Sequence, residues 1–349
     1  MERDAHAETG VVGAALDEAL AERLGAWLSD VEQRSVAVER FALVSAGARR
    51  VNALFDLVDG SDMSRLALTL NQSASIEILP VAAEAQVRAL AEEAGVPVPH
   101  GHHVCERTDV LGGPFFISTA IDGVSVPRHV MRLVRERSIG TQMVRQLGAA
   151  MADLHAVDAH LAPAEVPRPS GDGPVADSLV KLDEQMTLQR HPSPSFALAA
   201  RWLEQHAPPK PERLGIVHGD IRVGNVIVDD SGIAAILDWE TCHVGDPLED
   251  LAWSTLRMWR FREDALRVGG LGSIDTLRKA YEGSGGDWDA ARFEWWRLLS
   301  TVRWGVAMAG QARSHLDGSH RSIVMAASGR RVTELEYDTL MLLNPDRIE

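Results

Sequence analysis

The chain has 349 residues, a formal net charge of -15 at pH 7 and two cysteines. Its length exceeds the size at which one hydrophobic core stops growing, so we expect two lobes. The acidity disfavours a nucleic-acid partner, and two cysteines cannot build a disulfide framework, which suits a reducing compartment. No apolar run approaches the roughly 20 residues of a membrane span, and the first residues lack the basic-then-apolar order of a signal peptide. We therefore expect a cytoplasmic protein without a membrane partner.

The first third of the chain predicts a small α+β lobe. Apolar periodicity indicates an amphipathic helix over Asp17–Asp30. Three strands are expected next, at Val36–Val44, Val51–Val58 and Met63–Leu70, and a helix over Val81–Ala94.

The middle of the chain predicts one further strand and then mainly helices. Phe115–Ser118 has the composition of a strand, and the chain turns at Asp122-Gly123. Helices are expected over Arg137–Ala156 and Phe196–His206, with a Pro- and Gly-rich surface loop at Ala162–Pro174 between them. We place the lobe boundary between residues 121 and 122, so that the lobes are 1–121 and 122–349.

The stretch from Ile216 to Asp250, IVHGDIRVGNVIVDDSGIAAILDWETCHVGDPLED, is the most informative segment of the chain. An apolar run ends at Val217, and His218-Gly219-Asp220 turns away from it. Val226–Val228 and Ile233–Leu237 then predict the two strands of a hairpin. The acidic groups therefore lie at strand or loop edges.

Four polar residues in this segment have the spacing of a phosphoryl-transfer site. In protein kinases an Asp, four intervening residues and an Asn form the catalytic loop, and a later Asp holds metal. Asp220 would accept the proton of the attacking hydroxyl, and Asn225 and Asp238 would bind Mg²⁺. Arg222 lies where a cation could offset charge on the transferring phosphate. The tripeptide HGD alone occurs by chance, because Asp is an ordinary residue of turns. The functional interpretation depends on the full order of Asp220, Asn225, the hairpin and Asp238.

HGDIRVGN, ILDWE and GDPLEDLAW resemble the signature of the aminoglycoside phosphotransferase and choline kinase-like family. GVPVP from Gly95, GGPFFISTAIDG from Gly112 and LGAAMADLHAVD from Leu147 also resemble segments of its bacterial branch, which is similar to the kinase-like part of certain acyl-CoA dehydrogenase fusions. The resemblance covers most of the chain. It implies a two-lobed protein-kinase-like fold, with an antiparallel sheet in the small first lobe and a larger, mainly helical second lobe. ATP, or alternatively GTP, would be bound in the cleft. It does not imply an antibiotic substrate.

The chain departs from this family at the basic residue of the small lobe. Kinase-like folds normally place a lysine, or in some relatives an arginine, on the third strand, where it holds phosphates and pairs with a helix glutamate. The glutamate would be Glu84, but the basic position falls near Thr69. Arg65 shares the strand face of Thr69, yet four residues along a strand is about 13 Å, too far for easy substitution.

Arg49 and Arg50 are better candidates, because the segment around Gly47 joins the first two strands where a loop would cover the phosphates. One glycine allows the backbone less freedom to approach phosphate than a glycine-rich loop does. A solvated arginine pair is an equally good reading of these residues. By resemblance, Thr119 and Ile121 belong to the interlobe hinge, whose backbone would hydrogen-bond an adenine edge.

Two polar clusters have less specific readings. His100, His102, His103 and Cys105 resemble a soft-metal cluster, but defined zinc sites usually combine separated ligand pairs, so the pattern does not favour a metal there. Asp246 and Asp250 could join the Mg²⁺ shell, although helix capping or loop bracing suits Asp246-Pro247 better.

His155 is expected to be a buried, hydrogen-bonded histidine rather than a catalytic one. Tryptophans on the predicted helices of the last third should mostly be core, while some could line an acceptor pocket. They are Trp253, Trp259, Trp295, Trp296 and Trp304.

The sequence thus predicts an ATP- and Mg²⁺-dependent kinase acting on a small-molecule hydroxyl acceptor. The alternative is a kinase-like binding protein that has lost transfer activity, which Thr69 and the glycine-poor loop would explain. The acceptor stays open between a cationic amino-sugar, which suits an acidic protein, and a hydroxyacyl or similar alcohol, which suits the tryptophan-rich helices.

Overall fold

The computed structural model describes residues 5–46, 50–72, 79–189 and 192–344. Contacts divide the chain into two compact units. Unit 1 runs to Glu93 and includes Pro97–Asp122, and unit 2 comprises Ala94–Val96 and the chain from Gly123 onward. The predicted α+β class is confirmed, with an antiparallel sheet in the N-terminal part and a mainly helical C-terminal part. In the described ranges no helix is long and apolar enough to cross a bilayer.

Unit 1 is built on a five-stranded sheet in the order β1-β2-β3-β5-β4, with every neighbouring pair antiparallel. Its elements are α1 (Ala5–Val31), β1 (Ala37–Ala46), β2 (Arg50–Asp59), β3 (Asp62–Asn71), α2 (Val81–Glu93), β4 (Gly101–Cys105), α3 (Thr108–Leu111) and β5 (Phe115–Thr119).

Alternation along the strands gives this sheet two different faces. On one face Phe55 and Leu68 are buried in a cluster that includes Leu24 and Leu28 of α1. Side chains of α2 reach the other face, where the Arg88 guanidinium lies 4.4 Å from the ring centroid of Phe116. The polar positions of β2 and β3 that matter below lie on this second face.

Unit 2 contains most of the helices and two small two-stranded sheets, β6-β9 and β7-β8. Its helices are α4 (Pro127–Arg137), α5 (Gly140–Ala156), α6 (Pro174–Thr187), α7 (Pro194–Gln205), α8 (Leu248–Trp253), α9 (Ile274–Gly283), α10 (Ala290–Leu316), α11 (Ile323–Ser328) and α12 (Val332–Leu343). Its strands are β6 (Gly215–Val217), β7 (Val226–Asp229), β8 (Gly232–Ile236) and β9 (His243–Gly245).

The helix predicted over Arg137–Ala156 is present as α5, which begins three residues later than predicted, at Gly140, and ends at Ala156 as predicted. α4 ends at Arg137, and the next residue, Ser138, has a left-handed φ of 57° and donates its N–H to the carbonyl of Val134. α5 begins at Gly140, where a Cβ atom would lie 2.5 Å from the carbonyl oxygen of Leu271. Helical periodicity reveals neither the left-handed Ser138 nor this close contact, so it does not fix the first residue of α5.

The structure also places Arg50 in a strand, whereas the sequence predicted it in a loop. β1 continues to Ala46 and β2 starts at Arg50, so Arg50 is a strand residue opposite Asn71. The predicted phosphate-loop residues Gly47 and Arg49 lie outside the described residues.

Candidate active site

A buried carboxylate of α8 anchors the loop that precedes Asp220. Asp250 accepts hydrogen bonds from the backbone N–H groups of His218, at 2.7 Å, and Gly219, at 2.8 Å. It also bonds Nε2 of His155 at 3.2 Å, and His155 in turn bonds the Tyr281 hydroxyl at 3.0 Å. Burial raises the pKa of Asp250, but the hydrogen bonds and the two nearby imidazoles outweigh it and hold that pKa below its ordinary value. Asp250 therefore braces the loop as an ionised group.

His218 connects the loop of Asp220 to the strand end that leads to Asp238. A carbonyl oxygen only accepts, so the 3.0 Å contact with Leu237 O places the proton on Nε2 of His218. Nδ1 is then free to accept the Asp220 N–H at 3.2 Å. The ring is fully buried, with its centroid 4.7 Å from that of Trp239.

Three side chains donate hydrogen bonds to the carboxylate of Asp220. Asn225 Nδ2 lies 2.7 Å from Oδ2, and Trp253 Nε1 lies 2.8 Å from Oδ1. Arg222 Nε is shared between both oxygens, at 3.0 and 3.2 Å. The side chains of Asp220 and Arg222 are 21% and 29% exposed, so this carboxylate is held firmly yet remains reachable from solvent.

The β7-β8 hairpin brings Asn225 and Asp238 together. Val226 pairs with Ile236, and the Leu237 N–H donates to the Asn225 carbonyl at 2.8 Å. Asp238 follows directly, with a left-handed φ of 65° that turns the chain away from the strand. The hairpin predicted from sequence therefore sets the spacing of these two residues.

These side chains suit a hard cation. The Asn225 amide nitrogen donates to the Asp220 carboxylate and to its backbone oxygen at 2.8 Å, so the amide oxygen is the end left for a ligand. Within the described part of the chain no three His, Cys, Asp or Glu side chains form a metal cluster. One amide and one carboxylate fit Mg²⁺, which usually binds few protein ligands and completes its shell with phosphate oxygens and water.

In unit 1 a buried glutamate is paired with an arginine from β2. Arg50 donates through both terminal nitrogens to the Glu84 carboxylate, with Nη1 at 3.3 Å from Oε1. Glu84 is 1% exposed, so its charge depends on this bidentate partner. Thr69, where the family places its basic residue, instead donates to Asn52 Oδ1 at 3.0 Å.

The registry explains how Arg50 reaches this glutamate. Arg50 lies opposite Asn71, and Asn52 lies opposite Thr69, so Arg50 and Thr69 are diagonal neighbours on one face of the sheet. Diagonal positions are about 7–8 Å apart, within reach of a long side chain. The cation is thus on the adjacent strand, one register step from the predicted position.

The predicted hinge residues differ in what their backbones can offer. The Thr119 N–H donates to the His100 carbonyl at 2.8 Å, and its hydroxyl lies 2.9 Å from Nε2 of His102. Ile121 makes no backbone hydrogen bond to another described residue. Of the two, Ile121 has the open backbone edge.

The histidines of β4 are held separately. His100 bonds Glu92 at 2.9 Å, and His103 bonds Glu32 at 2.8 Å. Glu92 belongs to α2, whereas Glu32 follows the end of α1, so these two histidines have carboxylate partners in different segments of unit 1.

Asp246 and the tryptophans mostly have the structural roles that the sequence favoured. Asp246 accepts the Leu248 N–H at 3.0 Å and the Trp296 indole N–H at 2.8 Å. Four of the five tryptophans named above are at most 7% exposed. The exception to a purely structural reading is Trp253, whose bond to Asp220 sequence reasoning missed. The sequence signal that could have indicated this bond is the position of Trp253 three residues after Asp250 on the same short helix.

The fold and the cluster around Asp220 define a kinase-like phosphotransferase. The model of the phosphotransferase enzyme family (APH) matches residues 41–294, most of the chain, and the protein belongs to this family. The matched stretch includes both the Arg50–Glu84 pair and the loop of Asp220.

Curated relatives include acyl-CoA dehydrogenase family members. Member 10 of Mus musculus is 24% identical over 294 residues, which is 78% of this chain and 27% of the relative. Member 11 of Gallus gallus is 26% identical over 208 residues, covering 57% and 25% of the two chains. The chain therefore spans about a quarter of the length of these relatives.

Solved structures share the fold. A candidate aminoglycoside phosphotransferase of Ralstonia eutropha JMP134 superposes with a TM-score of 0.67 at 21% identity, covering 92% of this chain and 97% of that one. A thermostable mutant of aminoglycoside phosphotransferase APH(4)-Ia, in a ternary complex with AMP-PNP and hygromycin B, gives 0.60 at 19% identity, covering 90% and 97%. Macrolide 2'-phosphotransferase type I gives 0.60 at 18%, covering 89% and 96%.

Proposed function

We propose that this protein is a kinase that transfers the γ-phosphate of ATP to a hydroxyl group of a small molecule in the presence of Mg²⁺. The observation that carries the proposal is the Asp220 carboxylate, held by three donors beside Asn225 and Asp238. This is the set of groups that in-line phosphoryl transfer requires.

Asp220 orients the acceptor hydroxyl and accepts its proton. The hydroxyl oxygen bonds to the γ-phosphorus while the bond from that phosphorus to the bridging oxygen breaks, and ADP leaves. Arg222 Nε now occupies the Asp220 carboxylate. Its guanidinium must release Asp220 to stabilise the transferring phosphate, and its 29% exposure leaves it room to do so.

Asn225 and Asp238 are the proposed ligands of Mg²⁺. When bound, the metal neutralises the charge of the phosphate oxygens. Asn225 also holds Asp220, so one side chain would couple the base to the metal position.

In unit 1, Arg50 is the proposed contact to the nucleotide phosphates, and Glu84 orients it. This proposed role counts against the rival hypothesis of an inactive binding protein, because Arg50 on β2 would supply the cation that is missing at Thr69. Ile121, together with Thr119, is proposed to hold the adenine edge, and Gly47 and Arg49 stay proposed phosphate contacts. GTP is the alternative nucleotide, since GDP complexes occur among the structural neighbours.

The two kinds of relative suggest two different classes of acceptor. Structural neighbours were solved with kanamycin and hygromycin B, whereas the curated relatives are named as acyl-CoA dehydrogenase family members. An amino-sugar and a hydroxyacyl alcohol are therefore the two acceptor classes to test, in a protein that we propose to be cytoplasmic.

The test compares the parent protein with Asp220→Asn. Phosphate transfer from MgATP is measured with water, kanamycin, hygromycin B and hydroxy acids as acceptors, and nucleotide binding by thermal shift with and without Mg²⁺. We expect turnover to fall by about 10²–10⁴-fold, the usual contribution of a general base, while the Mg²⁺-dependent shift persists. Equal turnover in the two proteins would exclude Asp220 as the base. A folded parent protein that shows no nucleotide shift would favour the inactive binding protein.

A further inference from the structure

Trp253 makes the shortest contact to Oδ1 of the proposed base, and neither the family match nor the sequence motif assigns it a role. Its Nε1 lies 2.8 Å from Asp220 Oδ1, and Trp253 is 5% exposed. It is the last residue of α8, three positions after Asp250. Residues three apart lie on the same face of a helix, so one turn of α8 holds both the backbone of the loop and its carboxylate.

The three donors approach Asp220 from different surroundings. Trp253 and Asn225, both at most 5% exposed, each hold one oxygen, whereas Arg222 bridges the two oxygens and is the most exposed of the three. A carboxylate offers about four acceptor positions. When Arg222 turns to the phosphate, the positions that it vacates face the accessible side, and the buried donors still fix the plane of the carboxylate.

The Trp253 ring cannot easily rotate away from Asp220. Its centroid lies 5.9 Å from that of Trp259 and 5.7 Å from that of Trp304, and the Arg303 guanidinium lies 5.5 Å from it. Arg303 is itself paired with buried Glu249 at 2.8 Å. The indole N–H is therefore aimed at Asp220 by packing on several sides.

We propose that Trp253 is a positioning residue for phosphoryl transfer, holding the Asp220 carboxylate so that the position now taken by Arg222 Nε receives the acceptor hydroxyl. The inference rests on the proposed function. It assigns Trp253 an effect on turnover that is separate from its contribution to the core.

The first experiment is Trp253→Phe, which keeps an aromatic ring and removes the N–H. Transfer from MgATP is measured with water, kanamycin and hygromycin B. A hydrogen bond to a charged group corresponds to a change of about 10- to 100-fold, and we expect kcat to fall in this range with the nucleotide Kd and KM unchanged.

Trp295→Phe is the matched control, because it also removes a buried indole N–H, one that donates to the Leu203 carbonyl at 3.0 Å instead. We expect it to keep the parent kcat. Equal kcat losses in the two variants, or parent kcat in Trp253→Phe, would overturn the inference while leaving the kinase assignment intact. A parent protein without turnover would instead remove the proposed function, and this inference with it.

The second experiment keeps the test decisive if Trp253→Phe folds poorly. In a ¹⁵N–¹H spectrum of the indole N–H groups, Asp220→Asn should shift the Trp253 signal and leave that of Trp295 in place, with Trp295→Phe assigning the latter. An unshifted Trp253 signal would show that the contact does not exist in solution and would overturn the inference.

Discussion

At the scale of single residues, Glu84 has its predicted role as the carboxylate of an ion pair, but its basic partner, Arg50, lies on β2 rather than at the predicted position on β3. Glu84 is buried and carries a charge that needs a hydrogen-bonded partner. Arg50 supplies this partner from β2, and Thr69 pairs with Asn52. A guanidinium can substitute from a neighbouring strand because its reach exceeds the diagonal spacing of the sheet.

We predict that Arg50→Ala weakens MgATP binding by about tenfold or more and lowers stability by about 3–5 kcal/mol, because it leaves Glu84 buried and unpaired. The double variant Arg50→Ala/Glu84→Gln should recover most of the stability but not the affinity, measured by urea unfolding and calorimetry. Arg65→Ala, at a half-exposed side chain 3.7 Å from Asp56, is the control and should change affinity little. Parent-like affinity in the double variant would exclude Arg50 as a phosphate contact.

A second residue-scale prediction concerns Glu249, which is paired with Arg303 at 2.8 Å and His243 at 3.2 Å. Burial raises its pKa, but Arg303 and His243 outweigh burial and lower the pKa from 4.5 to about 2. A lowered folded-state pKa stabilises the protein above pH 4.5, and this contribution is lost as the pH falls toward 2. Its size is about 3 kcal/mol.

Glu249→Gln should therefore be less stable than the parent at pH 6, and the difference in unfolding free energy should shrink as the pH falls below 4.5. Glu334→Gln, at a half-exposed partner of the half-exposed Arg331, is the matched control and should show a small difference at every pH. A constant gap for Glu249→Gln across this range would contradict the lowered pKa.

At the scale of elements, the site depends on how short segments are held rather than on regular structure. β6 has three residues and α8 has six, yet Asp250 ties them together through the N–H groups of His218 and Gly219. Gly219 has a φ of 83°, and a Cβ there would lie 2.6 Å from the Thr241 carbonyl oxygen. The turn before Asp220 therefore requires glycine for both backbone and space.

We predict that Gly219→Ala lowers turnover strongly and stability by about 1–3 kcal/mol or more, since it adds a backbone strain and a collision. The control is Gly285→Ala, which has a φ of 91° and no atom within 4 Å of an added Cβ. It carries the backbone strain alone and should keep turnover. Equal effects on activity in both variants would show that the contact with Thr241 is unimportant.

At the scale of the whole molecule, the dominant property is the excess of negative charge. A net charge of -15 opposes compaction through self-repulsion. Many of its acidic groups sit in pairs with arginine at the surface, such as Arg107 with Asp109 and Arg278 with Asp275. Exposed pairs of this kind contribute little individually, so the unbalanced charge is the larger effect.

The melting temperature should consequently rise by a few degrees when the ionic strength increases from 0.01 to 0.15 M, because the Debye length shortens from about 30 Å to about 8 Å. Scanning calorimetry in NaCl and in KCl would give the same rise if screening is the cause. A midpoint that stays constant or falls would mean that favourable surface pairs dominate over net repulsion.

Sequence reasoning reached the parts of the site that are close together in the chain. Asp220 and Asn225 precede the β7-β8 hairpin and Asp238 follows it, so all three lie in one short stretch of chain, where residue spacing predicts a cluster. The helix predicted over Arg137–Ala156 likewise depends on local spacing and is present as α5, with only its first residues misplaced. Arg50 with Glu84, and Trp253 with Asp220, are 34 and 33 residues apart and meet only through sheet registry and helix packing.

By itself, the sequence determined the α+β class, the hairpin and the family, since local patterns and ordered spacing carry that information. It also indicated that Thr69 cannot serve as a phosphate-binding cation. Only the tertiary structure decided which arginine pairs with Glu84 and which tryptophan touches Asp220. Both pairings bring together side chains from segments that are far apart in the chain. Whether two such side chains meet is set by the packing of the fold rather than by the order of residues.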